Sequence, residues 1–212
     1  MTFTLHKHQI SRIVDRVPFI CEMIRGQSVL DVGCGSWPNT QELRAIGALP
    51  HDAYALASNS IIGVESQYAA WNFLYDNAIE NALTYEWLDF QEESFEYCSA
   101  EVDWVILGEV LEHMAQPGLA LEHIRYSVVD NAKLIATAPN AFCYAAYQRA
   151  CNDEEQVHEE HVAWYSPATL RQLLERHGWK VNELLGYCPG GKLPEGCTMT
   201  QAQGIIAVCE KG

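Results

Sequence analysis

The chain has 212 residues, with 28 Asp and Glu against 13 Lys and Arg, a formal net charge of −15 and a sequence pI near 4.8. That length suits one well-buried domain and is short for two, and a composition 49% hydrophobic and 19% charged excludes a disordered polypeptide. The acidic balance disfavours nucleic acid as a partner, because such affinity is built from Lys and Arg neutralising phosphates.

No apolar run reaches the roughly 18 residues of a membrane span, and the opening MTFTLHKHQI lacks the apolar core of a secretory signal, so a cytoplasmic location is expected. The eight cysteines form no C-x-x-C pair, and several lie in apolar segments, which reads as free thiols rather than a disulfide framework.

In chain order, Lys7 to Arg25 carries Ile10, Ile13, Val14 and Val17 on one face and predicts a helix that Pro18 breaks or kinks. Apolar runs then predict strands at Ser28 to Val32, Ile61 to Val64, Leu83 to Trp87, Val102 to Leu107 and Lys133 to Ala138. Between them, Gln41 to Ile46, Gln67 to Ala82 and Leu119 to Val128 read as crossover helices, the pattern of a parallel sheet covered on both faces. Two connections, Gly47 to Ser60 and Ala141 to Tyr165, are longer than compact folds usually need.

Ser166 as N-cap, Pro167 at the first turn and Gly178 as stop predict a helix over about 167–177. WKVNELL and GIIAVCE follow as two strands, and the Gly/Pro-rich stretch between them leaves no room for a crossover helix, so they pair antiparallel.

The first strand runs into VLDVGCGSWPNTQEL, where Gly33 and Gly35 let a ligand approach the main chain. A dinucleotide fingerprint requires a third glycine where Pro38 stands, and a phosphate-binding Walker loop requires G-K-[ST], so both of those readings fail.

The loop instead resembles motif I of the class I S-adenosylmethionine-dependent methyltransferases: an acid, then x-G-x-G-x-G, here Asp31, Gly33, Cys34 and Gly35, with Trp37 in place of the third glycine. The resemblance continues in order along most of the chain. It implies that Glu65, with Ser66 beside it, holds both ribose hydroxyls, and that Asp89 with Phe90 meets the adenine. It also makes the Gly108-Glu109 pair in LGEVLEHM the fourth motif, and PNA after the fifth strand is similar too. Carboxylates suit both hydroxyl and amine donors.

Together the pattern and the resemblance predict an α/β fold: a doubly wound, mostly parallel seven-stranded Rossmann-like sheet with helices on both faces and an antiparallel last strand. Residues 1–212 would form one methyltransferase domain with a substrate-cap insertion at about 141–165.

Glu109, Glu112 and His113 share a face if their segment is α-helical, so a carboxylate could orient His113 as a base. The stretch VHEEHVAWYSPATL is similar to a pattern in small-molecule and sugar methyltransferases, including those of the ubiquinone pathway. The similarity implies that His161 faces the active site, with Trp164 and Tyr165 lining it; His158, one turn away, reads as a surface residue. Glu109, Glu112, His113 and His161 also resemble the magnesium site of small-RNA terminal 2′-O-methyltransferases; a divalent metal is possible but not favoured, since relatives without known metal share the string.

The reading is methyl transfer from S-adenosyl-L-methionine to an oxygen, less readily a nitrogen, of a small-molecule acceptor, with His161 and His113 as candidate bases. The aromatic insertion would cap the acceptor, and its acids would repel an anionic one. The alternatives are a metal-dependent RNA 2′-O-methyltransferase and a non-catalytic binding domain whose turnover Trp37 has spoiled.

Overall fold

The computed structural model describes residues 4, 6, 9–92 and 101–212. Its elements run β1 (Ile13–Val14), α1 (Arg16–Met23), β2 (Ser28–Val32), α2 (Thr40–Ala45), α3 (Pro50–Ala57), β3 (Ser60–Glu65), α4 (Tyr68–Asp76), β4 (Ala82–Trp87) and β5 (Trp104–Gly108). Then come α5 (Pro117–Ser127), β6 (Lys133–Pro139), α6 (Tyr144–Ala150), α7 (Pro167–Arg176), β7 (Trp179–Tyr187) and β8 (Gly204–Lys211).

The strands form one sheet in the order β1-β7-β8-β6-β5-β2-β3-β4. Every pairing is parallel except those of β8, which runs antiparallel to both β6 and β7. This is the expected doubly wound sheet with an antiparallel last strand, extended to eight strands by the two-residue β1. In the interior, Val105 to Leu107 and Leu134 to Ala136 have no solvent exposure, as strands covered on both faces require.

One apolar cluster joins α5 and α7 to one face through Leu121, Ile124, Leu170 and Leu174, and a second joins α1 and α3 to the other through Phe19, Ile20, Tyr54 and Ala55. At about 25 cal/mol per Å² of apolar surface removed from water, these two layers supply most of the driving force for the fold.

Three departures from the expected elements have local causes. The predicted helix over 7–25 divides: β-branched Ile13 and Val14 pair with Gly186 and Tyr187, and the helix starts after an extended Asp15. Pro18 then lies in the first turn, where a missing N–H has no intrahelical partner to lose, so it breaks nothing. The long connection 47–60 holds α3, with Pro50 at the favoured first position and His51, Tyr54 and Ala55 buried. Finally, α4 ends at Asp76 rather than running to Ala82, which is the first residue of β4.

β2 hands on to β3 at one side while β5 lies at the other, so the sheet order reverses between β2 and β5. Open α/β sheets bind ligands at such a point, above the carboxyl ends of the strands. Gly33 follows β2 and Glu109 follows β5 at this crevice.

Candidate active site

The glycine loop rises from β2 and turns back over β3, with the N–H groups of Gly33 and Cys34 donating to Val64 O at 2.8 and 3.2 Å. Gly33 has φ +75°, and a Cβ there would meet Val110 Cγ2 at 2.5 Å. At Gly35 a Cβ would stand 2.5 Å from Glu65 Oε2 and 2.7 Å from Ala70 Cβ. Both glycines are thus required by close approach.

Glu65 ends β3, almost wholly buried. Its Oε2 accepts the Gly35 N–H at 2.8 Å and its Oε1 accepts the Gln67 N–H at 2.9 Å. The carboxylate has about four acceptor directions, so these bonds leave capacity for a further donor such as a hydroxyl. Burial raises the Glu65 pKa, and the N–H bonds from Gln67, Gly35 and Ser66 partly counter it.

Asp31 is fixed by a partner the sequence reading missed. Its Oδ2 lies 2.7 Å from His51 Nδ1, and His51 Nε2 lies 3.0 Å from the Tyr85 hydroxyl, so a buried chain ties β2, α3 and β4 beneath the loop. The Cys34 thiol is fully buried under the loop, and burial pushes its pKa up. Past β4, Asp89 Oδ1 accepts the Gln91 N–H at 2.8 Å, whereas the Phe90 ring packs in the core at 2% exposure and presents no face to a ligand.

Opposite, Glu109 leaves β5 with φ +60°, a left-handed conformation that a non-glycine residue keeps only when its surroundings hold it. Its N–H donates to Thr137 Oγ1 at 3.1 Å, and its carboxylate accepts the Thr137 hydroxyl at 2.7 Å and the Tyr187 hydroxyl at 2.8 Å. Arg16 Nη1 lies 3.6 Å from the same carboxylate and its guanidinium is 5.5 Å from the Tyr187 ring centroid. Burial opposes the charge on Arg16, but Glu109 leads the neighbours that outweigh it, and the pKa rises.

The expected shared face of Glu109, Glu112 and His113 does not form. After the turn at Glu109 the chain makes a single 3₁₀ turn, Leu111–His113, and Met114 is already extended. Glu112 points inward at 1% exposure, with neither carboxylate oxygen hydrogen-bonded among the described residues, while the His113 side chain remains 34% exposed. Burial first, and Glu109 second, hold the Glu112 carboxyl well above the usual carboxylate range.

The expected four-residue metal set is therefore not assembled, since Glu109 is committed to Thr137 and Tyr187 and Glu112 faces the core. The structure instead brings together His113, His158 and His161, with ring centroids 4.6 to 5.8 Å apart. His158 is exposed, as expected, and belongs to this group. Burial is the first cause that lowers the pKa of His113 and of His161.

Gly33, Trp37, Glu65, Ser66, Glu109 and His113 line one crevice of about 150 Å³. The indole of Trp37 forms part of its rim, 41% exposed, and leaves it open. A second crevice of about 120 Å³ adjoins at Gly33 and Glu109 and is lined by Arg16, Asp31, His51, Tyr54 and Gly108. The Tyr54 hydroxyl is buried there without a hydrogen-bond partner among the described residues. No local signal marked Arg16 or Tyr54, because neither lies in the glycine loop or at a strand tip and the packing of α1 against α3 brings them to the crevice.

Beneath the 141–165 segment is a cavity of about 520 Å³, lined by Asn140, Tyr144, Arg149, Trp164, Cys188 and Lys192 among others, with no acidic residue. The acids Glu154 and Glu155 border an adjoining hollow that shares Arg149 and Trp164 with this cavity. The insertion's acids do not line this cavity, but Glu160 lines the crevice of Glu65 and His113, so they stand beside it rather than away from the site.

A family model described as a methyltransferase domain matches residues 5–184. No curated protein matches the chain. Among solved structures, the chain is similar to a S-adenosylmethionine-dependent methyltransferase from Aquifex aeolicus, at 15% identity over 92% of this chain and 89% of that one, with a TM-score of 0.58. It is similar to a TehB-like S-adenosylmethionine-dependent methyltransferase from Corynebacterium glutamicum, at 12% identity over 94% and 89% with a TM-score of 0.58. It is also similar to the N-methyltransferase NodS of Bradyrhizobium japonicum in complex with S-adenosylhomocysteine, at 14% identity over 92% and 85% and TM-score 0.58. These likenesses are of fold, and the family match covers most of the sequence: the chain belongs to the methyltransferase-domain family.

Proposed function

We propose that the protein transfers the methyl group of S-adenosylmethionine to an oxygen of a small-molecule acceptor, with a histidine taking the proton. The observation that carries this reading is that Glu65 and His113 line the same crevice. A ribose held by Glu65 would leave the sulfonium near the β2–β5 reversal, within reach of the imidazoles.

Glu65 would accept both ribose hydroxyls, Asp89 the adenine amine, and Arg16, at the adjoining crevice, the carboxylate of the amino-acid end. In the displacement, the acceptor oxygen bonds to the methyl carbon as the carbon–sulfur bond breaks, and the electron pair stays on sulfur. The sulfonium leaves readily, so the protein's tasks are alignment, exclusion of water and removal of the hydroxyl proton. His113 takes that proton, and His161, at a ring distance of 4.6 Å, supports it.

The acceptor would lie in the cavity under residues 141–165, which act as its cap. Trp164 supplies an apolar wall, and Arg149 and Lys192, neither in an ion pair among the described residues, favour an acceptor bearing an anionic group. The RNA reading finds no support in the site, since its carboxylate-rich metal set is not formed and the chain's charge is −15.

The test is methylation by labelled S-adenosylmethionine of small-molecule pools, beside calorimetric titration with S-adenosylhomocysteine. Label in a low-mass acceptor, lost in His113→Ala with cofactor affinity intact, supports the reading. Binding with no transfer to any pool would favour a sensor.

A further inference from the structure

The three imidazoles, of which His113 lines the crevice, come from two places in the sequence. His113 stands on the 3₁₀ turn after β5, and His158 and His161 on the segment returning from the cap. Two backbone bonds fix their meeting: Val162 N–H donates to Glu112 O at 2.8 Å, and His161 N–H donates to His158 O at 3.0 Å. One nitrogen from each ring lies within 4.8 Å of the other two, and Glu160 Oε2 is 3.8 Å from His113 Nδ1.

We infer that His113, His158 and His161, with Glu160 beside them, form a site for a borderline divalent transition ion of the zinc class, and that its occupancy blocks proton removal. A tetrahedral ion with bonds of about 2.0–2.1 Å sets its nitrogens about 3.3 Å apart, so the rings must close by about 1.5 Å. All three side chains are partly exposed and can turn by that amount. Ligation by His158 through Nδ1 replaces the 3.3 Å bond it accepts from the Glu160 N–H, a long bond worth little.

The donor set decides the ion. Imidazole nitrogens suit zinc, cobalt and nickel, whereas magnesium and calcium prefer oxygen cages, and with Glu109 bonded to Thr137 and Tyr187 and Glu112 facing the core, Glu160 is left as a single carboxylate beside three imidazoles. Coordination occupies the ring lone pairs. The free imidazoles accept the acceptor's proton and the metal-bound ones cannot, so the inhibitory half of the inference rests on the methyl-transfer reading while the binding half does not.

The test uses the full chain after chelator treatment, titrated with Co²⁺ and followed by visible absorption, then competed with Zn²⁺ and Mg²⁺. The expected result is one Co²⁺ per chain with a tetrahedral spectrum, displaced by Zn²⁺ and not by Mg²⁺. His158→Ala lies outside the proton-transfer pair: it should weaken Co²⁺ binding at least about tenfold, keep methyl transfer and escape inhibition by stoichiometric Zn²⁺. Glu160→Gln should weaken binding less, and its melting temperature and that of His158→Ala should match the parent.

No Co²⁺ spectrum, unchanged binding in His158→Ala, or displacement by Mg²⁺ would overturn the site. Full activity with Zn²⁺ bound would overturn the block. A protein that binds Co²⁺ as expected but transfers no methyl group retains the site and loses the function proposed above.

Discussion

The two walls of the crevice are built differently. On the β2–β3 side, the glycines and Glu65 lock to one another through short backbone bonds, and every close approach there excludes even a methyl group. On the β5–β6 side, Glu109 is held by residues 28 and 78 positions away, Glu112 is buried with no hydrogen-bond partner for its carboxylate among the described residues, and the imidazoles stand partly open. The first wall is preorganised to hold a fixed ligand. The second keeps groups whose hydrogen-bonding and proton capacity is unspent, as chemistry on a variable acceptor requires.

If that division is correct, His113→Ala should give the largest effect, lowering kcat by about 10²- to 10⁴-fold, the usual span for losing a general base, with S-adenosylhomocysteine affinity unchanged. Rate loss accompanied by weaker cofactor binding would erase the distinction between the walls. Gly35→Ala should do the reverse. Its new methyl displaces Glu65 or Ala70 at a cost of about 1–3 kcal/mol, so calorimetry should record cofactor affinity reduced by about 10- to 100-fold.

The same wall predicts a pH dependence. Burial raises the Glu65 pKa, whereas accepting ribose hydroxyls favours the ionised form, so binding releases a proton once the free carboxyl is protonated. Affinity for S-adenosylhomocysteine should fall as pH is lowered through that raised value, by up to about tenfold per pH unit, and Glu65→Gln should bind weakly with no such slope. A pH-independent affinity in the parent would remove Glu65 from the ribose.

On the opposite side, Arg149→Ala should raise the acceptor KM about tenfold for an anionic acceptor and leave kcat and cofactor affinity unaltered, measured by initial rates. Trp37→Ala should have the smallest effect, a two- to tenfold loss of cofactor affinity for an indole at the rim of the crevice. A gain in affinity would mean that the indole obstructs the crevice.

The sheet was readable because each of its signals is local. Apolar runs of five or six residues alternate with helical periods, and the Ser166 cap predicted by its Ser-Pro pair is present with Thr169 answering it. Helix α3 was readable too, from Pro50 at its first position, but lay hidden inside a segment treated as a connection. The lead segment misled because Ile13 and Val14 fit a helical face and a strand equally well; only the edge offered by β7 chooses the strand.

The sequence alone determined the alternation of β and α, the glycine loop and the acids at successive strand tips, because a strand, its turn and its next residue are neighbours along the chain. Tertiary structure decided the rest of the site. The His51 lock on Asp31, the approach of Arg16 and Tyr187 to Glu109, the inward turn of Glu112 and the meeting of His113 with His158 and His161 join residues tens of positions apart. No local pattern encodes such pairs, since they exist only after burial of the apolar faces fixes which strand tips and loops become neighbours.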